Sequence, residues 1–208
     1  MTNRTQTTFQ GFAEEISNEL RGSEIGSHFL VQYPDLPTLR EMYSHYIKSA
    51  VLGDNEIVVI LPFYETTDNV RHVLSEDSAC IDVRKYEKEQ RLLIMDSLKG
   101  YFGSAEGLMP FVKQTVEYAK NSGRVNVSVL GDMGSFFYYK KKDDLMGWEM
   151  ELPRKFDMNL KGLCLYHERD FARLWEAQKQ KLLKHHNKIL QLLPSPVPED
   201  VYRIEERS

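Results

Sequence analysis

Short apolar runs, separated by amphipathic stretches of about 10–15 residues, constrain the fold of this chain more than any other feature. Ile57-Val58-Val59-Ile60-Leu61 contains no polar residue, so a strand made from it must be covered on both faces, as inside a parallel sheet. His28-Phe29-Leu30-Val31-Gln32-Tyr33 precedes it and is stopped by Pro34. Leu92-Leu93-Ile94-Met95, Val125–Leu130 and Leu163-Cys164-Leu165-Tyr166 follow it, and Ile81-Asp82-Val83 reads as a brief edge strand. Between the strands, Leu36, Leu39, Tyr43, Tyr46, Ile47 and Ala50 recur at spacings of three and four, with Asp35 to cap the helix and Gly53 to end it. Further helices are predicted from Thr67 or Asp68, from Met109 to Lys120, from Leu145 to Leu152 (closed by Pro153), and from Arg169 through Leu183. Whether this last helix runs on through Ile189 to Leu193 is left open by the sequence. Strands alternating with helices predict an α/β fold with a mostly parallel sheet flanked by helices.

The ends are different in character. Phe12, Ile16 and Leu20 mark a short amphipathic helix in an N-terminal extension (1–25), ahead of a domain over 26–193. Pro194-Ser195-Pro196-Val197-Pro198 opens a charged tail (194–208) that reads as an extended exit. No apolar run follows Met1 to Gln6, so no signal peptide is expected, and no run approaches the ~20 residues that span a bilayer. A cytoplasmic protein without a membrane segment is the expectation. The 27 Lys and Arg against 31 Asp and Glu give a net charge of −4, which argues against a nucleic-acid binder.

In open parallel sheets, ligands gather at the carboxyl ends of the strands. A nucleotide-binding chain would place a glycine-rich phosphate loop after its first strand. Here that segment is Tyr33-Pro34-Asp35-Leu36-Pro37, with two residues lacking N–H groups and one carboxylate. Neither G-x-x-x-x-G-K-[ST] nor G-x-G-x-x-G occurs, so P-loop ATP hydrolysis is not expected. No metal is expected either: Cys80 and Cys164 stand alone and read as small buried hydrophobes, and His185-His186 reads as a solvated helix end. No catalytic elbow G-x-S-x-G and no cofactor motif is present.

What remains is a set of polar groups at predicted strand ends: Tyr33, Tyr64 and Glu65, Asp96 and Ser97, Asp132, then Tyr166 and His167. Converging on one rim, they can bind a small polar molecule; taken singly, each can also cap the helix or turn that follows. Leu92 to Asp96 also has the form of a strand ending in a metal-holding aspartate. Lys140-Lys141-Lys142 is neutralised at once by Asp143-Asp144, and Phe136-Phe137-Tyr138-Tyr139 reads as core and lid packing.

The order of these segments resembles one family. His28 to Tyr33, a helix ending Ala50-Val51-Leu52-Gly53, the strand from Ile57, Gly131-Asp132-Met133-Gly134, Trp148-Glu149-Met150-Glu151 and Leu163-Cys164-Leu165-Tyr166 are together similar to MEDS domains, sensory domains of the DcmR type, over about residues 26 to 190. The resemblance implies a RecA/KaiC-like three-layer sandwich without a P-loop. It also implies a sensory or regulatory role with a small organic ligand, and His28, Tyr33, Asp132, Glu149, Glu151 and Tyr166 as family-type positions. With Glu65 and Asp96 from the strand ends, these form the candidate ligand-binding set. The expected function is a stand-alone regulatory module that binds a small molecule or a signalling partner protein at the carboxyl rim. The alternatives are a metal-dependent enzyme using Asp96, Asp132 and Glu65, and a self-assembling homo-oligomeric scaffold.

Overall fold

A computed structural model describes residues 9–53, 55–76, 79–192 and 202–206. Its centre is a seven-stranded sheet in the order β3-β2-β4-β5-β1-β6-β7, formed by β1 (His28–Tyr33), β2 (Ile57–Leu61), β3 (Leu92–Ile94), β4 (Val127–Asp132), β5 (Leu160–His167), β6 (Lys188–Leu192) and β7 (Tyr202–Glu206). The first six strands run parallel, and β7 is antiparallel to β6 at one edge. All five residues of β2 are buried, as its unbroken apolar run requires.

Helices cover both faces. α1 (Phe9–Gly22), α2 (Leu36–Leu52), α3 (Thr67–Glu76) and α4 (Val83–Lys88) pack one face over Phe29, Val31, Val58, Ile60 and Leu130. α5 (Ser97–Phe102), α6 (Met109–Asn121), α7 (Gly134–Tyr138), α8 (Lys142–Glu151), α9 (Glu168–Ala172) and α10 (Glu176–His185) pack the other, over Leu30, Val59, Val129, Cys164 and Tyr166. The helix after β1 therefore lies on one side of the sheet and the helices after its neighbour β5 on the other. In open parallel sheets such a divergence is the place where ligands gather, at the carboxyl ends of the strands.

The turn between β1 and α2 does not have the make-up of a phosphate loop. Pro34 offers no N–H, and the Asp35 carboxylate accepts the Thr38 amide (2.9 Å), so the chain supplies its own anion to the start of α2. Elsewhere Lys161, a buried strand residue, donates to the Leu20 and Arg21 carbonyls (3.1 and 2.9 Å) and closes the end of α1.

Along the chain the structure departs from the sequence-based expectations at Asp82 and at the helix after Arg169, and it settles the segment around Ile189 that the sequence leaves open. Asp82 is not part of an edge strand; its side chain accepts the Lys85 amide and starts α4. The helix predicted from Arg169 is broken into α9 and α10, with Trp175 76% exposed at the break. The segment around Ile189 is strand β6 rather than more helix, because the backbone is already extended at His186. The proline-rich stretch 194–198 lies outside the described residues; residues 202–206 beyond it rejoin the sheet as β7.

Candidate functional site

Two buried polar networks lie on opposite faces of the sheet. The first is the rim expected from the strand ends. Tyr33, closing β1, reaches past β5 to donate to Asp132 Oδ2 (2.9 Å), while the Gly134 amide donates to Oδ1 (2.8 Å). Gly134 is required there: a Cβ would sit 2.6 Å from both the Phe63 and Tyr64 rings. Tyr64 donates to Asp170, which also pairs with Arg173 (3.0 Å), and the Tyr33 and Tyr64 rings both meet His167 edge-on. Burial pushes the Asp132 carboxyl up to about 7, against the lowering effect of the Gly134 and Tyr33 hydrogen bonds. Burial and then Asp132 hold the Tyr33 phenol above its ordinary range, so it stays a donor.

Glu65 lines a cavity of only ≈10 Å³ beside Asp132, but its oxygens are held by Arg40, Tyr43 and Asn69. Asp96 is exposed and caps α5 by accepting the Lys99 amide (3.0 Å). Among the described residues, Asp96, Asp132 and Glu65 do not form a metal-binding group.

The second network is not legible in the sequence as a unit. His28 begins β1, Glu149 lies on the inner side of α8, Cys164 and Tyr166 alternate along one face of β5, and His186 follows α10. All five are at most 4% exposed. Tyr166 donates to Glu149 Oε1, and His28 Nε2 lies 3.4 Å from Cys164 Sγ and 3.8 Å from Glu149 Oε2. His186 Nε2 lies 3.4 Å from the same Oε2 without hydrogen-bonding geometry. Burial opposes ionisation of Glu149, yet His186, His28 and the Tyr166 hydrogen bond outweigh it and hold the carboxyl at about 2. Burial, with His186 beside it, lowers His28 to about 3, so its imidazole is neutral. Burial and then Glu149 push the Cys164 thiol well up. Ligand atoms of His28, Glu149, Cys164 and His186 all lie within 4.8 Å of one another. Two expectations drawn from the sequence are thereby corrected: His186 is fully buried rather than a solvated helix end, and Cys164 is not isolated.

His28 and Cys164 also floor an apolar cavity of ≈30 Å³ between β4, β5 and α6, walled by Val112, Val129, Met133, Trp148 and Phe156. The Tyr101 hydroxyl, over Gly131 in this wall, is buried and has no hydrogen-bond partner among the described residues. Trp148, Leu152 and Phe156 separate the cavity from a surface groove of ≈320 Å³ bounded by Lys113, Glu151 and Asp157. Of the candidate residues, the structure thus gathers Tyr33 and Asp132 at the rim and His28, Glu149 and Tyr166 inside. It puts Glu151 outside, in the groove, and Asp96 on the surface. Cys164, His186 and Tyr101 complete the inner site, and no local spacing announces them.

The model of the MEDS family, the methanogen/methylotroph DcmR sensory domain, matches residues 27–187. A solved structure of a KaiC-like protein from the hyperthermophilic archaeon Pyrococcus horikoshii is similar in fold, with TM-score 0.60 and 14% identity, covering 89% of this chain and 81% of that one. No curated protein matches the sequence. Among the described residues no helix is long and apolar enough to cross a membrane.

Proposed function

The chain belongs to the MEDS family of sensory domains, and from that premise we propose that it senses a small organic molecule taken into the cavity under Trp148. The Tyr101 hydroxyl carries this reading. A buried O–H without an acceptor costs about 1–3 kcal/mol, and a ligand acceptor atom entering the cavity would recover it. The apolar walls suit a compact apolar body, and His28 and Cys164 at the floor suit a polar end. The present volume holds roughly two water-sized groups, so a larger molecule must displace Trp148 or Leu152 toward the groove. That displacement is the signal the module would pass on.

A thermal-shift screen with small alcohols, ketones, amines and haloalkanes tests the proposal. A ligand at 100-fold over its Kd should raise stability by about 2.7 kcal/mol. The gain should vanish in Val112→Met, which fills the cavity, and weaken in Tyr101→Phe. Stabilisation of wild type and Val112→Met alike would place the ligand elsewhere, and none with any compound would end the reading.

The rim supports a second reading, a docking place for a signalling partner. Phe63 packs on Tyr64 and Tyr138, and Tyr64, Tyr138 and Tyr139 are 39%, 69% and 49% exposed, an aromatic surface beside the Asp132 network. A partner captured through it should be released by Tyr64→Ser/Tyr138→Ser; one retained by that variant docks elsewhere.

A further inference from the structure

We propose that His28, Glu149, Cys164 and His186 bind a divalent transition metal of the zinc type. The inference goes beyond the small-molecule reading and does not rest on it.

Hydrogen bonds fix the protons of the two histidines. His28 Nδ1 is 3.0 Å from the Pro153 carbonyl, and His186 Nδ1 is 2.9 Å from the Leu182 carbonyl. A carbonyl only accepts, so each Nδ1 carries a proton and donates it. In a neutral ring the Nε2 then presents a bare lone pair. The Nε2 atoms of His28 and His186 lie 3.8 and 3.4 Å from Glu149 Oε2, while Oε1 is already occupied by the Tyr166 hydroxyl. Two imidazole nitrogens, one carboxylate oxygen and one sulfur thus face each other in the buried interior. A metal cation set among them would engage all four at once. Carbonyl-fixed Nδ1–H groups and a hydrogen-bonded carboxylate are also the outer-shell pattern that orients metal ligands.

The spacing agrees. Tetrahedral bonds of about 2.0–2.3 Å from zinc to nitrogen, oxygen and sulfur place ligand atoms roughly 3.3–3.8 Å apart. Four of the ligand-to-ligand separations are 3.4, 3.8, 3.4 and 3.8 Å. Charge agrees too: a dication with one carboxylate, one thiolate and two neutral imidazoles sums to zero, so the site can be buried without a residual charge. Two imidazoles and a thiolate select zinc-like metals over magnesium or calcium. Binding requires Cys164 to lose its S–H proton to solvent as the sulfur–metal bond forms, and no oxidation is involved.

The full-length chain, stripped with a chelator, can be titrated with Co²⁺ alone and then with Zn²⁺. One equivalent of Co²⁺ should give a near-ultraviolet thiolate charge-transfer band and visible bands of tetrahedral intensity, release one proton, and be displaced by Zn²⁺. Cys164→Ser, nearly isosteric, should abolish the charge-transfer band and the proton release. His28→Gln and His186→Gln should each weaken binding by roughly 100-fold or more, and Tyr166→Phe by about 10–100-fold. Val112→Met should leave the cobalt spectrum unchanged while removing small-molecule stabilisation, so failure of one reading is distinct from failure of the other. Absence of the charge-transfer band in folded wild type, or equal affinity in wild type and the His28→Gln/His186→Gln pair, overturns the proposal; protons alone would then hold the quartet together.

Discussion

Asp132 in the rim network and Glu149 in the inner quartet are both buried and lie on opposite faces of one sheet, yet their hydrogen bonding differs. At the rim, donors meet acceptors: Tyr33 and the Gly134 amide answer both oxygens of Asp132. Inside, Tyr166 satisfies one oxygen of Glu149, and the other faces two histidine nitrogens and a thiol. The first arrangement is complete in itself and responds to protons. The second leaves His186 Nε2 without a hydrogen-bond partner among the described residues, and that nitrogen is one the proposed metal would engage.

Substitutions within each network should expose this difference most directly. Glu149→Leu strands the Tyr166 hydroxyl and His186 in an apolar interior and should cost about 3–5 kcal/mol in urea unfolding. Tyr33→Phe takes one donor from Asp132 and should cost about 1–3 kcal/mol by the same measurement.

Acid–base behaviour separates the two networks further. Asp132 titrates near 7 in the folded chain and near 3.8 otherwise, so between those values the folded state holds a proton that the unfolded state has released. Stability from this group is full below about pH 4 and is lost as pH rises through about 7, with a slope approaching roughly 1 kcal/mol per pH unit. Tyr33, Tyr64, His167 and Asp170 frame it, and Tyr33 and Tyr64 remain neutral there. Asp132→Asn should flatten that part of the stability profile; an unchanged slope would assign it to another group. The smallest effect belongs to the turn that replaces a phosphate loop: Asp35→Ala should cost about 1 kcal/mol through loss of the α2 cap, measured by thermal unfolding.

The sheet is readable because β2 and its neighbours are apolar runs of strand length, and strand-end residues such as Tyr33 and Asp132 are placed by chain order alone. β6 escapes because Lys188-Ile189-Leu190-Gln191-Leu192 follows a helix without a glycine or proline between them. Asp82 misleads because a capping aspartate between Ile81 and Val83 looks like strand alternation. The inner site is hidden for another reason. Its ligand atoms come from four separate elements, and His28 meets Cys164 from 136 residues away. Metal-ligand spacing rules describe ligands on one loop or helix, and packing between sheet and helices leaves no such periodic trace. Family resemblance points to His28 and Glu149; nothing in the sequence pairs them with His186.

Helix α8 occupies both sides of this arrangement. Within a few residues it supplies Glu151 to the outer groove, Trp148 to the cavity wall and Glu149 to the quartet, and the Pro153 carbonyl just beyond it fixes the His28 ring. A rigid rod pinned at three depths cannot tilt at one without dragging the others. A motion of α8 that lifted Trp148 would, on the proposed sensing role, also shift Glu149 and the carbonyl that holds His28. Surface and interior would then be two arms of one lever, ten residues long.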